Sequence, residues 1–377
     1  MAKNKTKNAG EWAELYALIK ILADGKLFPA DGEQNIIEGS YYPVVSIPMQ
    51  NDDNSSPIEF RVESDKTILV KSPDKTNIIT MKELHTEASN FFKIISSRKG
   101  RSFSVPEIEP LLDKLQNPTT KQSSDKKADI HICLHDINTG QTVNSGFSIK
   151  SRHSKPATLL NASKQTLFRY RVVDKNSSKS VKESLATYDV NKEKIGSKTR
   201  VQNLNKNGYD LEFEYVVGES FSENLTLIDS SLALILSECL KFYMNSNKTS
   251  LSYIVEEVAK KNPCGFKARD SERIKDFYIY KVKRLLIDAA LGMMPSKPWK
   301  GQFDASGGYI IVKEAGDIVC YHIFSWNAFQ DYLFNNLKFE APSSTGKGSK
   351  SSFNYALPLE IKGIQYMDIC LQIRFKK

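Results

Sequence analysis

The stretch GFSIKSR, residues 146–152, reads as a β-strand with a lysine in its middle. Successive strand side chains point to opposite faces, so Phe147, Ile149 and Ser151 share one face and Ser148, Lys150 and Arg152 the other. A lysine in so apolar a strand is costly unless something nearby needs its charge. The segment before it, ADIHICLHD at residues 128–136, alternates in the same way. Ile130, Ile132 and Leu134 take one face; Asp129, His131, Cys133 and His135 take the other. The polar turn DINTGQ between the two segments predicts a hairpin of 129–134 with 143–151.

An acid at the mouth of one strand and a lysine partway along its neighbour converge on one point. A magnesium-dependent phosphodiesterase needs that arrangement. The carboxylate binds a hard divalent cation, which polarises the phosphate and lowers the pKa of a bound water. The lysine orients that water and offsets charge building on the phosphorus. The usual pattern places a second acid two residues before the lysine, and here that position is Ser148, a weak ligand. One carboxylate holds Mg²⁺ poorly, so another must come from elsewhere. At about 100° per residue, Glu11 and Glu14 of the first predicted helix fall in the arc of Leu15, Leu18, Ile21 and Leu22, with Lys20 opposite. Glutamates on an apolar face need a cation or a lysine; as first-turn acids they would equally suit the helix dipole.

His131 and His135 lie about 13 Å apart along a strand, too far to chelate one ion, and are read as structural or substrate-side residues. No P-loop, dinucleotide fingerprint, G-x-S-x-G or H-E-x-x-H occurs, which argues against a nucleotide-driven motor, a Rossmann enzyme, a serine hydrolase and a zincin. Glu360-Ile361-Lys362 repeats the acid-x-lysine triplet between Pro358 and Gly363 without an upstream aspartate hairpin, and is set aside.

The 377 residues carry 40% hydrophobic and 26% charged side chains, the profile of a globular protein, with a net charge of +9 that favours a polyanionic partner, nucleic acid before membrane. Five scattered cysteines without C-x-x-C spacing fit reduced thiols in a cytoplasmic protein. No apolar run is long enough to span a bilayer and the basic N-terminus does not continue as a signal peptide, so a soluble, intracellular protein is expected.

Periodicity predicts helices over 11–23, 81–96, 226–245, 249–260 and 270–292, and a short one over 105–115. Strands are expected around 41–48, 58–62, 66–71 and 209–217, in a second hairpin within GGYIIVKEAGDIVCYHIFSW, and in the closing MDICLQIRF. TLLNASKQTLFRYRV reads as a helix capped near Asn161 or Ser163 running into a strand, and 174–206 as loop. The expected fold is α/β: a core over 1–175, a mixed sheet flanked by helices, with a helical and hairpin region over 176–377.

The segments GEWAELYALIKILADGKL, GFSIKSR with PATLLNASKQTLFRY, GGYIIVKEAGDIVCYH and LQIRF resemble the HpaII-type family of type II restriction endonucleases. The resemblance implies a PD-(D/E)XK nuclease fold and Mg²⁺-dependent cutting of double-stranded DNA at a short palindrome, CCGG for this type. Asp129 then corresponds to the metal-binding aspartate, Lys150 to the catalytic lysine, the Ile149 carbonyl to a further metal ligand, and Glu14 or Glu11 to the supplementary acid. Ser148 departs from the general motif. Arg152 and, at the start of the following helix, Asn161, Ser163 and Gln165 are candidate DNA contacts. So are Lys297, Lys300 and Gln302 in KPWKGQ and Lys347 and Lys350 in STGKGSK, through phosphate more than through bases. A cognate DNA methyltransferase is the implied functional partner, and a palindromic target suggests a homodimer. The alternatives are a damage- or structure-specific repair nuclease and a catalytically inactive DNA-binding protein, the latter supported by Ser148.

Overall fold

In the computed structural model, the described residues are 6–51, 56–98, 100, 102–119, 127–137, 139–152, 156–182, 185, 196–322, 325–342 and 356–376. The first helix, Ala9–Asp24, opens on a capping box. Asn8 Oδ1 accepts from the N–H groups of Gly10 (2.8 Å) and Glu11 (3.0 Å), and the Glu11 carboxylate accepts from Asn8 N at 2.7 Å. It stops at Gly25, left-handed at φ 62°, whose N–H returns to the Ile21 carbonyl; glycine tolerates that conformation, and a Cβ there would lie 2.7 Å from Met81 Cε. Ten of its 16 residues are buried, because the helix packs against both the main sheet and the helix Met81–Ser97. Trp12 meets Phe91 edge-on and stacks on Phe103.

The main sheet runs, in spatial order, Ile318–His322, Gly308–Val312, Thr142–Ser151, Ile130–His135, Tyr42–Asn51, Pro57–Val62, Thr67–Lys71 and Thr76–Thr80. The short strands Lys26–Leu27 and Pro118–Thr119 also pair with Tyr42–Asn51. Neighbours are antiparallel except for Thr142–Ser151 and Gly308–Val312. These two run parallel, with Ser148 opposite Tyr309 and Lys150 opposite Ile311. The second hairpin thus extends the same sheet that holds the first. Strand alternation sorts side chains between two cores. Phe147, Ile149, Ile310 and Val312 join the cluster of the first helix, while Tyr309, Ile311, Val319 and Tyr321 join the cluster built on the later helices.

Those later helices are Ser197–Lys206, Glu219–Ile228, Leu232–Asn245, Leu251–Lys261, Ser271–Leu291 and Trp326–Asn336. They surround a four-stranded antiparallel sheet of Tyr209–Val216, Leu167–Asp174, Ile364–Cys370 and Pro358–Ile361, and a three-stranded one of Thr158–Leu160, Ile373–Phe375 and Leu337–Phe339. Several expectations are corrected here. TLLNASKQ is not a helix: Thr158–Leu160 is a strand that pairs with the chain's last strand, and Lys164–Thr166 is a single 3-10 turn. The expected helix over 226–245 is two helices, Glu219–Ile228 and Leu232–Asn245. The Asp229 side chain accepts from Ser231 N at 2.9 Å and from Lys281 Nζ at 2.5 Å, turning the chain between them. MDICLQIRF is two strands, Ile364–Cys370 and Ile373–Phe375, in different sheets. The expected 174–206 loop ends in the helix Ser197–Lys206, and Trp326–Asn336 is a helix not anticipated from sequence.

Candidate active site

The hairpin brings Asp129, Ser148 and Lys150 together. Asp129 Oδ2 accepts from Ile149 N at 2.6 Å and from Ser148 Oγ at 3.0 Å. Lys150 Nζ lies 2.5 Å from Ser148 Oγ, 3.2 Å from the Ile149 carbonyl and 3.7 Å from Asp129 Oδ2. Ser148 is 2% exposed, whereas the Lys150 and Asp129 side chains keep 23% and 24% of their surface open. The lysine borders a cleft and the acid stays partly open, while the hydroxyl between them is walled in. Lys150 also sits over the Tyr309 ring, 5.3 Å from its centroid. Burial, then Tyr332 and Asp129, push the Tyr309 hydroxyl above the ordinary tyrosine value, so it stays neutral beneath the ammonium.

The cleft, about 680 Å³, is bordered by Ile149 and Lys150 on one side and by Asn8, Gly10 and Glu14 of the first helix on the other. Glu14 thus opens onto the space in front of the lysine. Glu11 is committed to the helix cap, its carboxylate bonded to Asn8 N. One residue at the centre escaped the sequence reading. Lys127 is half-buried, and burial followed by the Lys150 charge pushes its ammonium below the ordinary lysine value, against the pull of Asp129 and Asp304. Its spacing of two from Asp129 in an extended stretch was the available signal.

The oxygens at hand are the carboxylates of Asp129 and Glu14 and the carbonyl of Ile149. Among the described residues no group of three or more His, Cys, Asp or Glu gathers as a metal cage. Hard oxygens, few in number, suit a cation that keeps several waters of its own, as Mg²⁺ does; they do not suit a thiolate or imidazole metal.

The other sequence candidates divide. Arg152 donates its backbone N–H to the Val312 carbonyl and borders a smaller pocket beside Lys150 with Tyr332 and Lys376. Asn161 is exposed. Ser163 caps the 3-10 turn by accepting from Gln165 N at 3.2 Å, a structural use. The Gln165 side-chain oxygen is buried and has no hydrogen-bond partner among the described residues, and its backbone presses so close to Gly218 that a Cβ there would stand 2.2 Å from the Gln165 carbonyl. Lys297, Lys300 and Gln302 are exposed on a loop that buried Asn224 fastens: its amide donates to the carbonyls of Met294 (3.2 Å) and Lys297 (2.9 Å) and accepts from Trp299 N (2.7 Å). That loop leads directly to Gly307, whose N–H donates to the Gly146 carbonyl on the Lys150 strand. Lys347 and Lys350 lie outside the described residues.

Comparison with known proteins gives the class. A family profile, HpaII restriction endonuclease, matches residues 8–375, and the chain belongs to that family of type II restriction endonucleases, which are site-specific deoxyribonucleases. A particular relative, the type II restriction enzyme HpaII of Haemophilus parainfluenzae, is 37% identical over 369 residues, 98% of this chain and 98% of its own length. No solved structure matches the chain. No helix among the described residues is long and apolar enough to cross a membrane.

Proposed function

We propose that this restriction endonuclease hydrolyses the phosphodiesters of double-stranded DNA at a short palindrome, CCGG by family resemblance, in a Mg²⁺-dependent reaction at a PD-(D/E)XK-type centre. The observation that carries the reading is the joining of Asp129, Ser148 and Lys150 within hydrogen-bond and ion-pair distance at the edge of a cleft. Asp129, the Ile149 carbonyl and Glu14 would hold the cation. When bound, Mg²⁺ polarises the phosphate and makes its water more acidic. Lys150 directs its ammonium at the attacking water and at the non-bridging oxygen that gains charge as the water oxygen bonds to phosphorus and the ester P–O bond breaks. Ser148 and Tyr309 hold that ammonium in place. Asp129 and Lys150 belong to residues 1–175, and 176–377 adds Tyr309 to the same centre and recognition through Lys297, Lys300 and Gln302, beside Arg152, Asn161 and Gln165. A homodimer would match a two-fold target, and a methyltransferase would protect the host's own sites.

A second reading, a DNA-binding protein without catalysis, draws on one observation: the second acid position is a serine. A plasmid digest with and without Mg²⁺, beside Lys150→Ala, separates the two. Discrete Mg²⁺-dependent fragments from the wild type, with a rate loss of about a thousandfold or more in a variant that still binds DNA, support the nuclease. Binding without cutting by both supports the second reading, and equal cutting by both removes Lys150 from the mechanism.

A further inference from the structure

The cleft that holds Glu14 and Lys150 has another wall, which the mechanism above does not use. The helix Met81–Ser97 ends as Arg98 turns to extended backbone, and Arg98 and Gly100 border the cleft with Asn8 and Phe103. The chain then forms the strand Ser102–Ser104, antiparallel to Thr6–Asn8, with Asn8 opposite Ser102. Trp12 Nε1 donates to the Phe103 carbonyl at 2.9 Å and its ring stacks on Phe103. The strand that follows Arg98 and Gly100 is therefore fastened to the N-terminus of the helix that carries Glu14, on the same cleft.

Arg98 pairs with Glu107 at 3.1 Å, with 44% and 49% of the two side chains exposed. An ion pair so open to water contributes little and exchanges readily. A guanidinium is thus held at a cleft that also presents Lys150, by a partner easily displaced. Its planar fork matches two oxygens of one phosphate.

We propose that Arg98 binds a DNA backbone phosphate flanking the scissile one, and that Glu107 holds the guanidinium only until the duplex displaces it. This rests on the reading of the Lys150 cleft as the place where DNA is cut. The contact is to backbone, so it strengthens binding to every duplex alike and carries no sequence information.

The test measures binding of the full chain to a duplex containing CCGG and to one lacking it, without Mg²⁺, across about 50 to 200 mM salt, for wild type, Arg98→Ala and Glu107→Gln. Arg98→Ala is expected to flatten the slope of log K against log salt by about 0.9 per bound subunit on both duplexes. Its Mg²⁺-dependent cleavage should fall more at subsaturating than at saturating DNA, the split expected of a lost binding contact. Glu107→Gln should bind more tightly at low salt. Thermal melts of each variant report folding, and Arg98→Gln stands in if the alanine variant does not fold. An unchanged slope in a folded variant overturns the proposal, and so does a loss confined to the CCGG duplex, which would make Arg98 a base reader. Lys150→Ala cutting like wild type would instead overturn the reading of the cleft, while the salt slope would still report on Arg98.

Discussion

Ser148 donates its hydroxyl to Asp129 Oδ2 at 3.0 Å and accepts from Lys150 at 2.5 Å, so one buried side chain ties the acid to the base. A carboxylate in its place would stand against Asp129 away from water, and two such groups cannot both ionise cheaply. With a neutral hydroxyl the pocket needs only one nearby acid to balance the lysine before any cation arrives. A second carboxylate can then come from across the cleft, where Glu14 lies.

Ser148→Ala follows from that tie. Removing the hydroxyl leaves Lys150 with the Ile149 carbonyl and the more distant Asp129, and should cost about 1 kcal/mol of stability. The ammonium would then wander, and single-turnover cleavage should slow by about tenfold to a hundredfold with DNA affinity preserved. Denaturant melts and rapid-quench kinetics check both; a variant that cuts at the wild-type rate would mean that Ser148 does not position the lysine.

The two glutamates of the first helix, equivalent in the sequence pattern, should separate by experiment. Glu11→Ala removes half of the capping box and is expected to lower stability by about 1 kcal/mol while leaving the Mg²⁺ requirement unchanged. Glu14→Gln keeps the shape and loses the charge. Its cleavage should need about tenfold or more Mg²⁺ to reach half its maximal rate. Titrating Mg²⁺ against rate for both variants decides the matter, and the opposite pattern would place the supplementary acid at Glu11.

The central hairpin was legible because two short strands of strict alternation flank a polar turn, and the first helix because its glutamates stand out against an apolar arc. What the sequence hid is long-range. The parallel pairing of Thr142–Ser151 with Gly308–Val312 joins segments about 160 residues apart, and nothing local in either strand announces it. TLLNASKQ misled because Asn161 and Ser163 are N-cap residue types, and Ser163 does cap, but only the single 3-10 turn Lys164–Thr166. The strand Thr158–Leu160 exists only because Ile373–Phe375 comes back to pair with it. The choice between Glu11 and Glu14 was equally hidden, since it turns on whether Asn8 forms a cap. Lys127 was overlooked beside a polar loop whose residues 120–126 lie outside the described ones.

His322 gives the last prediction. It is 1% exposed and packs against the rings of Tyr42 and Phe147, at 5.3 and 5.6 Å between centroids. Burial lowers its pKa from the ordinary 6.5 to about 4, against a weaker opposing pull from Asp136. The folded state therefore holds this imidazole neutral while the unfolded chain protonates it below about 6.5. Stability from this residue is fully present above that pH and is lost as pH falls toward 4, a change on the order of 3 kcal/mol. Phe147 directly precedes Ser148, so acid should loosen the strand that carries Lys150 as well as the whole fold. Denaturant midpoints measured from about pH 4.5 to 7 should fall steeply at the acid end for the wild type. His322→Phe, which keeps a ring among rings and cannot take the proton, should flatten that fall; an equally steep curve in the variant would assign the acid sensitivity to other groups.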